Sequence, residues 1–386
     1  MGQYILRRLL QAIPLIIIIT VIVFFLLKAA GDPLAELALD PRITESDKLL
    51  LRAQYGLDDP LPMQFVHWLI GDDWYTRELE LPVSDTTIVA PNTCYGVEIP
   101  EGERVTVALS DGREQTTLVK DGQCYRVFFQ QNNNQGILRG DFGMSIARGR
   151  PVIDVIGEAL PNTLLLGISS YLVIVVVAFS LGIFQAIRQY SIFDNIITTF
   201  SFILVSMPIF LVALLAVYIF AVQFRKWGLP YLPVQGMYSV NTDYSIGDLI
   251  RHMILPVFCL AAISIAGYSR FVRASMLEVI NSDYVRTARA KGLGERRITY
   301  VHALKNASLP LVTLMALDIP FILAGAVVTE QIFSWPGMGT LYIQSLNRLD
   351  YAVVITFVLM LAIAVVLFQL IADVLYAVLD PRVRYS

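Results

Sequence analysis

The feature that most constrains this chain is a set of long stretches almost free of charge. Residues 9–27, 163–187, 200–222, 253–269, 309–329 and 351–372 are apolar runs in which Asp318 is the one charged side chain. A hydrocarbon layer roughly 30 Å thick takes about 20 such residues per helix. Backbone polar groups have no water to pair with there, so such runs must form helices. The expected fold is an all-α polytopic membrane protein with six transmembrane helices. The composition agrees, with 56% hydrophobic residues, 16% charged residues and a mean hydropathy of +0.61. The first run follows Arg7 and Arg8 and precedes Ala29-Ala30, as a cleavable leader would. It exceeds the roughly 7–15 residue apolar region of a leader, and its removal would leave five spans, so it reads as helix 1.

Orientation follows from Lys and Arg, which collect on the cytoplasmic side of short loops. Residues 270–305 hold eight basic residues against three acidic ones, which places this loop inside. Six spans then put both termini inside, as Arg7, Arg8, Arg382 and Arg384 also suggest. Residues 31–150 fall outside. The net charge of −3, without a clustered basic face, excludes nucleic acid as a partner.

The outside segment is too long to be a simple connection. From Arg104 it reads RVTVALS, Asp111-Gly112, REQTTLV, Lys120-Asp121-Gly122 and QCYRVFF, which predicts a three-stranded meander around two Asp-Gly turns. Between Asp72 and Gly136 there are eleven acidic and five basic residues, a net of −6. Gln130 to Gln135 reads as a polar linker out of this small domain. Cys94 and Cys124 lie in it, on the oxidising side, and are a disulfide candidate. Cys259 falls in an apolar run and reads as a packing residue.

In the inside loop, DYVRTARAKGLGERRITYVHALKNASLP predicts two short helices. Ser282 or Asp283 is expected to cap the first and Gly294 to end it. Val285, Ala288 and Gly292 then share a small, smooth face that a partner backbone could approach. Arg286 and Arg289 adjoin it and could pair with acidic groups. Read from the residues alone, this is either a solvated hairpin or a docking element.

This stretch resembles the coupling loop of ABC importer permease subunits of the dipeptide/oligopeptide family, the binding-protein-dependent transport system inner membrane components. That loop carries Glu-Ala-Ala, a spacer and Gly, then Leu-Pro. Here Thr287-Ala288-Arg289 stands for the first part, Gly292 for the glycine and Leu309-Pro310 for the closing pair. Thr287 departs from the general pattern but is similar to the peptide branch, where YVRTARAKGL is common. Further similar segments are Gly31-Asp32-Pro33, Gln54 to Asp58, Arg139 to Gly143, Arg150-Pro151-Val152 and Leu160 to Leu164. Glu330, Phe333, Pro336-Gly337, Gly339 and Asp380-Pro381-Arg382 extend the resemblance over nearly the whole chain. The insert from about Asp72 to Gly136 has no counterpart in that family pattern, so it is expected to be a separable module.

The resemblance implies a permease subunit that forms half of a pathway for peptides or similar small solutes. Its implied partners are a second homologous permease, two cytoplasmic ABC ATPases, an extracytoplasmic solute-binding protein and membrane lipid of a prokaryotic inner membrane. ATP and magnesium would be bound by the ATPases. This chain has no G-x-x-x-x-G-K-[ST] phosphate loop, and no metal-ligand cluster or nucleophile triad is legible, so it does not read as an enzyme. The implied ATPase-coupling residues are Val285, Arg286, Thr287, Ala288, Arg289 and Gly292. The expected parts are residues 1–30 with helix 1, residues 31–150 with the insert at about 72–136, and residues 151–386 with helices 2–6 and coupling loop 271–307. Asp318 near mid-span either lines the pathway or makes a structural hydrogen bond. Glu330 and Asp373 are expected at span ends within reach of water. An ion-coupled secondary transporter is the alternative, favoured by Asp318 and disfavoured by the lack of internal repeats. Nickel chelates, glutathione and sugars are alternative cargoes.

Overall fold

The computed structural model describes residues 2–34, 43, 45–83, 93–109, 111–131, 134–239, 244–308, 311, 314–315, 318 and 326–379. The chain forms two compact units, one of Met1–Thr20, Asp154–Asn347 and Val353–Ser386 and one of Val21–Ile153 and Arg348–Ala352. It begins with helix α1 (Gly2–Ala30).

The second unit opens with two helices, α2 (Glu45–Gln54) and α3 (Leu61–Ile70). The expected meander follows as β4 (Arg104–Ala108), β5 (Glu114–Lys120) and β6 (Gln123–Gln131), after the earlier strands β1 (Thr76–Pro82), β2 (Thr93–Cys94) and β3 (Val97–Glu98). Asp121 and Gly122 both have positive φ, 50° and 70°, so β5 and β6 are joined by the two-residue turn that Asp-Gly favours. The sheet has a fourth strand that the turn signals did not announce, with order β1-β6-β5-β4. In β1, TRELELP alternates charge with leucine, and Leu81 pairs with Arg126 of β6 while Glu80 pairs with Val127. The polar tract expected as a linker is partly strand, since Gln130 and Gln131 belong to β6; residues 132–133 lie outside the described residues.

One face of the sheet packs Val107, Val119 and Cys124 against Cys94 and Ile99 from the β2–β3 hairpin. Cys94 and Cys124 are joined there by a disulfide, with Cα atoms 5.7 Å apart across a separation of 30 residues. Closing a loop of that length restricts the unfolded chain by about 3–4 kcal/mol. Reduction, or paired Cys→Ser replacement at both positions, is expected to destabilise this small domain by that amount. Mass-tag counting of thiols in non-reducing denaturant checks the bond, and two reactive thiols from the domain would refute it.

The insert is held to the rest of the unit at its root. Its ends touch: a β-carbon on Gly71 would lie 2.5 Å from Asn134 O, and Asp72 N–H donates to that same oxygen over 2.9 Å. Arg139 clamps Asp73 with two bonds of 2.7 and 2.8 Å, and this guanidinium holds the Asp73 carboxyl below its ordinary range. Beyond the insert come the short strands β7 (Met144–Ser145) and β8 (Arg150–Pro151). Buried Asp350 anchors this turn by accepting from Ser145 Oγ over 2.5 Å.

The helical unit continues with α4 (Val152–Ile187), α5 (Ile192–Ser206), α6 (Ile209–Lys226) and α7 (Ile246–Ile280). After them come the loop that follows α7, α10 (Met338–Asn347) and α11 (Tyr351–Leu379); that loop and its helices α8 and α9 belong to the site below. Among the described residues, five helices are long and apolar enough to cross a membrane: Leu6–Ala30, Val152–Ile187, Ile209–Lys226, Ile246–Ile280 and Tyr351–Val374. The expected span 309–329 falls largely outside the described residues. Two expectations need correction. The run 200–222 is not one helix, because Met207 is extended (φ −90°, ψ 134°) ahead of Pro208, whose ring disfavours helix in the residue before it. The loop placed at 270–305 begins later, since α7 runs on to Ile280 with Val272 and Met276 buried one turn apart. At about 1.5 Å per residue, α4 and α7 each reach about 50 Å, well beyond the hydrocarbon thickness.

Candidate functional site

The extension of α7 carries a helical hairpin of α8 (Asp283–Ala290) and the mixed helix α9 (295–307), which is π-helical over Ile298–Ala303. Ser282 sits at the N-cap position, but its hydroxyl donates to Val279 O over 2.6 Å and caps nothing. Gly292 ends α8, not Gly294. Its φ is +79°, Gly292 N–H donates to Arg289 O over 3.0 Å and Leu293 N–H to Ala288 O over 3.3 Å. That pair of bonds is the Schellman closure, which requires a left-handed residue at this point. Gly294 instead precedes α9 in an extended conformation.

The hairpin also corrects the face expected to meet a partner. Val285 is fully buried and Ala288 nearly so, both against Ile298 with Val279 and Leu293 around them. The small-residue stripe is therefore the hairpin's own core. Arg289 does not wait for an external acid: its Nε and Nη2 donate to Glu295 over 2.6 and 3.2 Å. This guanidinium holds the Glu295 carboxyl below its ordinary range. The outer face carries exposed Tyr284, Arg286, Thr287, Ala290 and Lys291, with Asp283 at its start 3.8 Å from Arg286. Gly292 is exposed too, and a β-carbon there would meet nothing within 4 Å.

The hairpin is fixed to the transmembrane helices by a small-residue seam. Ala303 and Ala307 of α9 pack on Val272 and Met276 of α7 and on Ile183 and Ala186 of α4. At Gly182 the two long helices approach so closely that a β-carbon would stand 2.6 Å from Ser269 O. Beside the seam, Arg273 donates to both oxygens of buried Asp194 over 2.9 and 2.8 Å. Gln185 Nε2 and Tyr190 N–H donate to the same carboxylate. This node ties α4, α5 and α7 together at the base of the hairpin, and no motif in the sequence announced it.

A second node joins two segments that the sequence showed only as separate resemblances. Glu330 is fully buried, contrary to the expectation of water access. Its carboxylate accepts from Thr163 Oγ1 (2.6 Å), Gly339 N–H (2.7 Å) and Thr340 N–H (3.0 Å), so it caps the first turn of α10. Trp335 Nε1 donates to Asn162 O over 2.9 Å, and Asn162 Nδ2 donates to Pro336 O over 2.8 Å. Asp373 lies 3.4 Å from Arg8 Nε. Asp318 is helical and exposed, and it accepts a hydrogen bond from Tyr268 of α7.

Long apolar helices, a hairpin with its own core and the Thr163–Glu330 node together describe a multi-pass membrane component. A family model for the binding-protein-dependent transport system inner membrane component matches residues 178–385, and one for that family's N-terminal region matches residues 1–118. The chain belongs to this family. Similar relatives of the inner membrane components include the oligopeptide transport system permease protein AppB of Bacillus subtilis, 36% identical over 387 aligned residues. The dipeptide transport system permease protein DppB of Escherichia coli K12 is 32% identical over 403, and the glutathione transport system permease protein GsiC of Escherichia coli O1:K1 is 31% identical over 387. In all three comparisons the alignment covers 100% of both chains.

Proposed function

We propose that this inner membrane component is a permease subunit of an ATP-driven ABC importer, with peptides as its cargo. The observation that carries the proposal is the α8–α9 hairpin. It is stiffened by its own core and seated on α4 and α7, so a push on its outer face moves the long helices rather than a loop. Full-length relatives named for oligopeptide and dipeptide transport support the cargo. In this reading the hairpin and both termini face the cytoplasm, and one of the two ATPase subunits docks on Tyr284, Arg286, Thr287 and Lys291. A second homologous permease completes the pathway, and a solute-binding protein delivers cargo on the side of the disulfide-bonded domain. ATP and magnesium belong to the ATPases, and the permease acts by preferring different packings as they close.

Ala288→Trp would displace Ile298 and Gly292→Leu would strain a left-handed turn, so both report first on hairpin folding. Thr287→Trp and Lys291→Glu stand on the exposed face and leave that core intact. The pair is expected to lower copurification of the ATPases at least tenfold and to abolish solute-stimulated ATP hydrolysis, with membrane insertion unchanged. Normal copurification and coupling in the double variant would refute the docking face. Uptake of labelled di- and oligopeptides by vesicles holding the whole complex tests the cargo.

A further inference from the structure

Among the described carboxylates near the transmembrane helices, Asp318 alone falls inside an apolar run. Asp194 has Arg273, Asp373 has Arg8, and Glu330 has a hydroxyl and two backbone N–H groups. Asp318 has a tyrosine hydroxyl, from Tyr268, and is exposed on the chain's surface near the middle of an apolar run. Tyr171 of α4 lies within electrostatic range of the same carboxylate. Both tyrosines pack on an apolar floor of Ile174, Ala261 and Met315. A carboxylate so placed is costly against lipid and demands a watery cavity or a cationic complement. Its neutral donor orients it without neutralising it, and the apolar floor strengthens its attraction for a passing cation. A single charge with hydroxyl neighbours holds such a group weakly enough to release it, as a transit site must.

We infer that Asp318, positioned by Tyr268, is a subsite on the pathway for a cationic group of the cargo, the amino-terminal ammonium of a peptide. The inference rests on the peptide reading above. A fixed arginine from the second permease subunit would be the competing complement, and the experiment separates the two.

The test uses the assembled complex in lipid vesicles. Leu314, one turn before Asp318 and exposed, is replaced by cysteine and challenged with a cationic and an anionic methanethiosulfonate reagent. The cationic reagent is expected to react about tenfold faster after allowance for intrinsic reactivity, and Asp318→Asn in the same background is expected to erase that preference. No labelling, or a preference that survives Asp318→Asn, overturns the subsite. In parallel, Asp318→Asn should cut uptake of a free-amine peptide at least tenfold, Asp318→Glu should restore it to within about threefold, and Tyr268→Phe should fall between. Unchanged uptake in Asp318→Asn overturns the inference. So does loss of the partner permease from the complex, which would mark a subunit contact instead. If the parent complex carries no peptide, the cargo reading fails, and a persisting cation preference at Leu314→Cys shows that failure to be separate from the site's chemistry.

Discussion

Replacing Glu330 with alanine is expected to destabilise the helical unit by about 3–5 kcal/mol, the cost of leaving several buried donors unpaired. The carboxylate accepts three hydrogen bonds within a fully buried site. Its loss strands the Thr163 hydroxyl and two N–H groups at the start of α10, each costing about 1–3 kcal/mol when buried and unpaired. Glu330→Gln keeps one acceptor oxygen and should lose about half as much. Gly337→Ala attacks the same node by volume, since a β-carbon there would stand 2.5 Å from Glu330 Cδ and Thr163 Oγ1. Trp335 sits in the node with its indole buried, so its fluorescence reports the site once Trp68, Trp74 and Trp227 are replaced by phenylalanine in the parent and the variants. Thermal unfolding in detergent, followed by that signal, checks the prediction. A Glu330→Ala protein that melts with the parent would show that the node is ornamental to stability.

This node illustrates what the sequence could not reveal. Apolar runs announce helices because one span is a local property of about 20 residues, and Asp-Gly announces a hairpin because both residues tolerate positive φ. The Thr163–Glu330 bond joins residues 167 positions apart. Neither Leu-Pro-Asn-Thr nor Glu330 carries a local signal for the other. Arg273 and Asp194 are the same case, each an ordinary charge beside an apolar run until α5 folds against α7. β1 was closer to legible, as Leu79 and Leu81 alternate with glutamates, but Pro82 and the absence of a flanking Asp-Gly hid it.

The hairpin shows a different limit. A stripe of small residues at i, i+3 and i+7 marks a face that something approaches closely, and the periodicity is blind to what that something is. Here it is Ile298 of the same chain, only ten residues beyond Ala288. The α8 helix was legible; the direction of its core was not. The consequence bears on the proposed docking face, which cannot include buried Val285 and Ala288 and is left to exposed neighbours such as Tyr284, Arg286, Thr287 and Lys291. The same seam logic, Ala303 and Ala307 on Val272 and Met276, packs the hairpin onto the long helix instead of leaving it a loose tether.

Arg77→Met is expected to destabilise the disulfide-bonded unit by about 3–5 kcal/mol and to make it sensitive to limited proteolysis. Arg77 comes from β1 of the insert yet is buried among the segments that precede the insert. Its Nη1 donates to Ala53 O over 3.0 Å and to Asp72 Oδ2 over 3.2 Å, and its Nη2 donates to Asp59 Oδ2 over 2.5 Å. Buried His67 Nδ1 stands 3.2 Å from both Asp59 Oδ2 and Arg77 Nη2. Gly56, at φ +61°, makes room: a β-carbon there would come within 3.0 Å of the guanidinium carbon. Methionine fills the same volume but leaves the Asp59 and Asp72 charges without their cation. Arg77→Lys cannot reproduce the forked donation to several acceptors and should recover little. Adding Asp59→Asn and Asp72→Asn to Arg77→Met removes the stranded charges and should recover part of the loss. The same reasoning governs excision of residues 72–136, which deletes Arg77 and leaves Asp59 beside His67. Excision alone should expose the remainder of the unit to protease, whereas excision with Asp59→Asn should do so less. Arg77→Met protein as protease-resistant and heat-stable as the parent would show that the insert is a detachable module after all.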